Sequence, residues 1–114
     1  VPVKTFSQVK TISVPLSLVH HPEQSYVLQI RGDSLMEEEH IANDDFLIIE
    51  ARQEAHSGET ILATVDKLET LIKHYFPQGD YVKLECLNPN YQPLIVRNEA
   101  LTIQGVLTGL IRMY

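Results

Sequence analysis

Thr70-Leu71-Ile72-Lys73-His74-Tyr75-Phe76 reads as a strand, because β-branched, aliphatic and aromatic residues fill it and no helix breaker or cap interrupts it. Turn chemistry closes it at Pro77-Gln78-Gly79-Asp80. On either side the pattern repeats. Working outward, strands are expected at Thr60 to Val65 and Glu69 to Phe76, then at Tyr81 to Leu87 and Leu94 to Arg97. Gly105 to Met113 closes the series. Upstream lie Phe46 to Glu50, Tyr26 to Arg31 and Val9 to Val14. Between them stand Pro22, Gly32-Asp33, Asn43-Asp44-Asp45, Ser57-Gly58 and Asn88-Pro89-Asn90. Short strands at regular spacing predict an all-β fold, a compact barrel or sandwich. Ser34 to His40 is the one helix-like stretch, with Asp33 or Ser34 as its cap. Val1 to Val9 reads as an arm, which leaves residues 9–114 as one folded domain after an arm over residues 1–8.

Lys73 stands out in the first run. Burial penalises the charged form of a lysine, and a neutral amine can take a proton from a serine hydroxyl. Ser34 is the candidate partner. It follows Arg31-Gly32-Asp33, where the strand from Tyr26 breaks at a glycine. If the two meet, they form a Ser-Lys nucleophile and base. If they do not, Ser34 is a turn serine and Lys73 snorkels off a sheet edge.

Composition bounds the class. The chain has 114 residues, 44% of them hydrophobic and 21% charged, which suits one globular domain with its own core. A net charge of −6 argues against a nucleic-acid grip by this segment's own field. A single cysteine, Cys86, rules out an internal disulfide framework and fits a reducing, cytoplasmic setting. The apolar runs are far shorter than a membrane span, so no membrane partner is expected. No spaced ligand set suggests a metal, and no cofactor motif is present.

Four segments in order carry a family resemblance. Arg31-Gly32-Asp33-Ser34-Leu35-Met36, the acidic Glu37 to Glu39, Ile41 and Asp45-Phe46-Leu47-Ile48 resemble the catalytic serine region of the LexA, UmuD and phage-repressor peptidases, the S24 family. Ser57-Gly58-Glu59, Ile61-Leu62-Ala63 and Glu69 to Lys73 resemble the hairpin that carries that family's lysine. Leu87-Asn88-Pro89-Asn90-Tyr91 and Ile103-Gln104-Gly105-Val106 resemble its last loop and closing strand. The likeness runs from about Val9 to Arg112.

The resemblance implies a signal-peptidase-like β fold and self-cleavage at an Ala-Gly or Cys-Gly bond. It makes Ser34 the nucleophile, Lys73 the general base, and the backbone N–H groups of Asp33 and Ser34 the oxyanion hole. Met36 and Ile41 would wall Lys73 from water. A LexA-type repressor of the SOS DNA-damage response would dimerise here and be activated by the RecA–single-strand DNA filament. It would touch DNA only through an N-terminal domain absent from this sequence. The alternatives are a UmuD-like accessory of translesion synthesis and a phage-repressor dimerisation module with vestigial proteolysis. Several features depart from the family pattern. The chain is one residue longer between Ser34 and Asp45, and Asp44 stands where a glycine is customary. The Asp66-Lys67-Leu68 turn is one residue longer as well. No Ala-Gly or Cys-Gly pair occurs, so the scissile bond is expected near Val1 or before it and the chain is expected to be a C-terminal fragment.

Other readings of single residues are plainer. A Ser-His-Asp triad could be drawn from Ser34, Asp45 and one of five histidines. His74, next to Lys73 on a strand, should face the other way, and His20, His21, His40 and His56 read as exposed. Cys86 reads as a small buried hydrophobe. Lys67, the rival base, sits in a turn. The homodimer is expected to form through the apolar C-terminal strand, left at a sheet edge.

Overall fold

The computed structural model describes residues 2–5, 11–13, 19, 21–30, 40–42 and 44–112. Among the described residues nine strands build the fold: β1 Pro2–Thr5, β2 Thr11–Ser13, β3 Ser25–Gln29, β4 Phe46–Glu50, β5 Thr60–Val65, β6 Glu69–Gln78, β7 Tyr81–Glu85, β8 Leu94–Arg97 and β9 Leu101–Ile111. They form one sheet in the order β2-β1-β3-β4-β9-β5-β6-β7-β8. Every pairing is antiparallel except β1 with β3. Among the described residues the helical pieces are two 3-10 turns, Pro22–Gln24 and Asn98–Ala100. The all-β expectation therefore holds. The stretch from Ser34 expected to be helical lies outside the described residues up to His40, which is a turn residue with φ 54°.

Three expected strands, β4, β5 and β8, match to the residue. β3, β6, β7 and β9 differ at one or both ends, β6 and β9 for readable reasons. β6 runs on through Pro77 to Gln78, since proline's fixed φ suits an extended strand and its missing N–H costs little beside a hairpin. Gly79, at φ +69°, then turns the chain, and Asn98 donates from Nδ2 to the Gly79 carbonyl at 2.7 Å. β9 starts at Leu101 rather than Gly105, because Leu101-Thr102-Ile103-Gln104 alternates half-buried and exposed against β5. Pro2–Thr5, inside the stretch read as an arm, pairs with β2 and β3.

The strand at the C-terminus is a correction. β9 is expected at a sheet edge, yet it stands between β4 and β5 in the strand order, pairing with β5 up to Val106 and with β4 from Val106 to Ile111. Val106 pairs with Glu50 on one side and Ile61 on the other. Gly105 and Val106 are its buried residues, and Leu107–Ile111 is half-buried.

Both faces of the sheet are covered. Ile30, Ile41, Leu47, Ile49, Leu62 and Ile72 form one cluster, and Ile61, Ala63, Leu71, Val82, Leu84 and Val106 form another. Leu62 falls in the first and its neighbours Ile61 and Ala63 in the second, as strand alternation requires. A third, smaller cluster joins Val19, Val27 and Ile48.

β4 and β9 approach closely at the register shift between Ile48 and Ile49. A Cβ at Gly105 would run into Ile49 Cγ2 and come within 2.9 Å of the Glu50 carbonyl. Gly105→Ala should therefore cost about 1–3 kcal/mol, the range for overpacking a tight core. Urea unfolding monitored by circular dichroism checks this, and an unchanged midpoint would mean that the two strands can separate freely.

Candidate active site

Lys73 sits in the middle of β6, opposite Ile61 of β5. Its exposure is 3%, so the strand carries the amine into the interior. Lys73 Nζ donates to Cys86 Sγ at 3.3 Å, and the thiol donates to the Gln92 carbonyl at 3.6 Å. The β6–β7 register explains the contact. Gln78 pairs with Tyr81 and His74 with Glu85, so the next step puts position 86 opposite Lys73. Cys86 is thus half-buried and joined to the lysine, where sequence reading made it an inert core residue. The length of the hairpin turn was the signal that could have found it.

Ser34 and Asp33, with Gly32 and Met36, lie outside the described residues. The residues that flank them are well placed. Ile30 N–H donates to the Asp45 carbonyl at 2.9 Å, and Asp44 N–H donates to the Ile30 carbonyl at 2.8 Å. These bonds tie together the two ends of the segment that contains Ser34. Ile30 and Ile41 share a core cluster with Ile72, the neighbour of Lys73 in sequence. Asp44, at the family's usual glycine position, has φ +72°, a conformation that glycine adopts at no cost and aspartate tolerates.

Asp45 anchors the same region. Its exposure is 1%, and its carboxylate accepts from Arg112 Nε at 2.8 Å, from Arg112 Nη2 at 2.6 Å and from the Ala42 N–H at 2.8 Å. Arg112 Nη2 also donates to the His40 carbonyl at 3.2 Å. The guanidinium, followed by the Ala42 N–H, holds the Asp45 carboxyl below the usual carboxylate range, against the opposing effect of burial. This arrangement disfavours the Ser-His-Asp reading, because arginine occupies the carboxylate that would have to orient a histidine.

The remaining candidates fall away from the site. His21, His40 and His56 are exposed. His74, half-buried, pairs through Nδ1 with Thr60 Oγ1 at 2.9 Å. His20 lies outside the described residues. Lys67 is exposed in its turn at φ 60°. Among the described residues no group of three or more His, Cys, Asp or Glu is placed to hold a metal. No helix among them is long and apolar enough to cross a membrane. A separate ion cluster locks the stretch between β4 and β5. Arg52 binds Glu59 in a fork at 2.8 and 3.3 Å, and Glu59 Oε1 accepts from the His56 N–H at 2.6 Å.

Comparison with known proteins follows the same lines. Residues 2–108 match the family model described as peptidase S24-like. A LexA repressor of Bartonella quintana (strain Toulouse) is 37% identical over 115 residues, covering all of this chain and 48% of the relative. LexA repressors of Gluconacetobacter diazotrophicus and Koribacter versatilis are 37% and 31% identical. They cover 90% and 99% of this chain and 40% and 52% of those relatives. The chain therefore spans about half the length of the curated relatives it matches.

The Asp45–Arg112 pair sets a pH dependence. Removing one partner of a buried pair costs about 3–5 kcal/mol, but the Arg112 side chain is 35% exposed, so solvent screening reduces the expected loss to about 2 kcal/mol. Because the Asp45 pKa is lowered on folding, its contribution is complete above the unfolded carboxylate range near pH 4 and is lost as pH falls through the folded value. Arg112→Gln should thus lower the urea midpoint at pH 7, with the gap to wild type shrinking in acid. A gap independent of pH would show that the pair contributes packing rather than charge.

Proposed function

This chain belongs to the peptidase S24-like family, and on that premise we propose that it is the self-cleaving and dimerising domain of a LexA-type repressor. The single observation that carries the reading is the lysine at 3% exposure in the middle of a strand, the residue to which the family resemblance assigns the role of base. A buried amine loses the hydration that stabilises its charged form, so deprotonation at moderate pH becomes accessible. Lys73 would then act as general base and Ser34 as nucleophile. The hydroxyl oxygen of Ser34 attacks a peptide carbonyl while its proton passes to Nζ. The oxyanion is held by the backbone N–H groups of Asp33 and Ser34. Collapse expels the amine, which takes the proton back from Nζ, and water then hydrolyses the acyl-enzyme. The scissile bond would be of the Ala-Gly type, upstream of Val1, and the reaction a single turnover within one chain.

The tied ends of the Ser34 segment support this reading. Ile30, Asp44 and Asp45 fix where the segment leaves and rejoins the sheet, and the Ile30–Ile41–Ile72 cluster holds both ends against β6. Strand alternation turns Ile72 and Lys73 to opposite faces, so these contacts fix the base of the segment and leave the approach of the nucleophile to the lysine as part of the reaction.

For regulation we propose the damage-response setting of the LexA relatives, with the RecA–single-strand DNA filament as activator in the cytoplasm. DNA would be bound by a region outside this chain. The domain unit would be residues 9–114, with β1 contributed by the preceding arm. A homodimer suits a repressor of palindromic sites. With the edge-strand argument gone, it rests on the β5 pairing of β9 ending at Val106, which leaves the β5 side of Leu107–Ile111 uncovered by β5. A second copy of the same segment would complete that side.

Two measurements test these readings. Self-cleavage of the full-length protein without activator should accelerate as pH rises through an apparent pKa below the ordinary lysine value of about 10.4. Ser34→Ala and Lys73→Ala should each abolish it, and the double variant should be no worse than either. Continued cleavage by Lys73→Ala at alkaline pH would mean that another base acts. For assembly, sedimentation velocity over a concentration series should show a dimer, and a monomer persisting at high micromolar concentration would overturn it.

A further inference from the structure

The thiol of Cys86 occupies an unusual place: its sulfur meets the lysine amine while its own hydrogen is directed elsewhere. We infer that Cys86 is a positioning residue for Lys73, taking one N–H of the amine and so limiting its rotation while the nitrogen lone pair stays free for a proton. The inference rests on the Ser-Lys reading above and goes beyond it by assigning a residue that composition and spacing left in the core.

The chemistry runs through hydrogen-bond direction. A neutral amine has two N–H groups and one lone pair, and only the lone pair can accept the serine proton. An amine whose N–H groups are not held rotates, and its lone pair is then often misdirected. Cys86 Sγ at 3.3 Å gives one N–H a fixed acceptor. The thiol is kept as an acceptor toward Lys73 because its hydrogen goes to the Gln92 carbonyl, at 3.6 Å. Sulfur is also a weak acceptor. A carboxylate in the same place would hold the ammonium form and stop the lysine from working as a base.

Charged groups on the neighbouring elements have other partners. On β7, Lys83 and Glu85 pair with each other at 2.9 Å. Ahead of β5, Glu59 is held by Arg52 and the His56 N–H. On β6, His74 bonds Thr60, while Tyr75 packs into the cluster of Ile61 and Leu84. Asp45 is clasped by Arg112. Arg31, Asp33 and Glu37 to Glu39 belong to the segment outside the described residues.

The test is the pH–rate profile of self-cleavage in the full-length protein carrying Cys86→Ser, Cys86→Val, Cys86→Asn or Cys86→Asp. Serine keeps an acceptor and should stay near wild type. Valine, close to cysteine in size but without a polar atom, should be slower by roughly three- to tenfold, the scale of one modest hydrogen bond. Aspartate should move the profile to higher pH by roughly 1–3 units relative to asparagine, as an adjacent carboxylate does to a cation, with the alkaline plateau kept. If Cys86 merely fills space, valine will match serine, and that result overturns the proposal. An unmoved midpoint in the aspartate variant overturns it as well, because position 86 would then not adjoin the amine. Should the aspartate variant fail to fold by circular dichroism, the serine–valine comparison decides. Ser34→Ala and Lys73→Ala run alongside. If they still cleave, the dyad itself is wrong. If they are silent while the Cys86 series is flat, only the positioning role fails.

Discussion

Burying one lysine amine is the costly act around which this fold is arranged. Removing an ammonium from water costs several kcal/mol even after relaxation, so an interior lysine survives only where its strand is held firmly and its nitrogen has partners. β6 meets the first need, paired along its length with β5 and β7 and packed through Ile72 and Leu71 into clusters on both faces. Cys86 helps to meet the second. A strand free to fray would let the amine swing out to water, and the lysine would return to ordinary surface behaviour.

The long strand β9 joins the two halves of the sheet. β4 and β9 carry the half of the sheet from which Ile30 and Ile41 are hung, while β5 and β6 carry the lysine. Val106, paired with both β4 and β5, is the point where the two halves join. Gly105 beside it allows the contact, because any side chain there would collide with Ile49. An apolar segment near the end of a sequence can thus mean a central strand as readily as an interface. Sequence pattern alone does not separate the two, since both require apolar residues on successive positions.

Much of the fold was legible because its signals are local. Val65 and Glu69 flank a tight turn, and strands β4, β5 and β8 are bounded by residues with their own turn chemistry. Lys73 was legible as an anomaly, a charge where the pattern demanded an apolar group. Cys86 and Arg112 were not, because their roles depend on pairs far apart in sequence. Arg112 reaches Asp45 across 67 positions. Cys86 could have been placed opposite Lys73 from the register, but only once Gln78 and Tyr81 were known to flank the turn through a strand proline. Strand ends at Pro77 and Gly105 were misjudged for one shared reason. Proline is read as a stop and glycine as a boundary, yet one was compatible with extended backbone and the other was required by close packing.

The two halves of the proposed site are held by different kinds of bond, and the difference bears on mechanism. Lys73 is fixed by strand pairing and apolar packing, which are insensitive to pH and salt. The base of the Ser34 segment is fixed by backbone bonds at Ile30 and by the Asp45–Arg112 clasp, where one partner is exposed enough for solvent to screen it. Arg112 directly follows β9, so the clasp links that segment to the end of the central strand. Anything that pulls on the strand end, a second copy of the domain included, therefore acts on the side of the proposed nucleophile and leaves Lys73 in place. For the self-cleavage proposed above this is a workable division. The side that must stay dry is rigid, and the side that must be brought into register is held by a contact of about 2 kcal/mol, within reach of a binding partner.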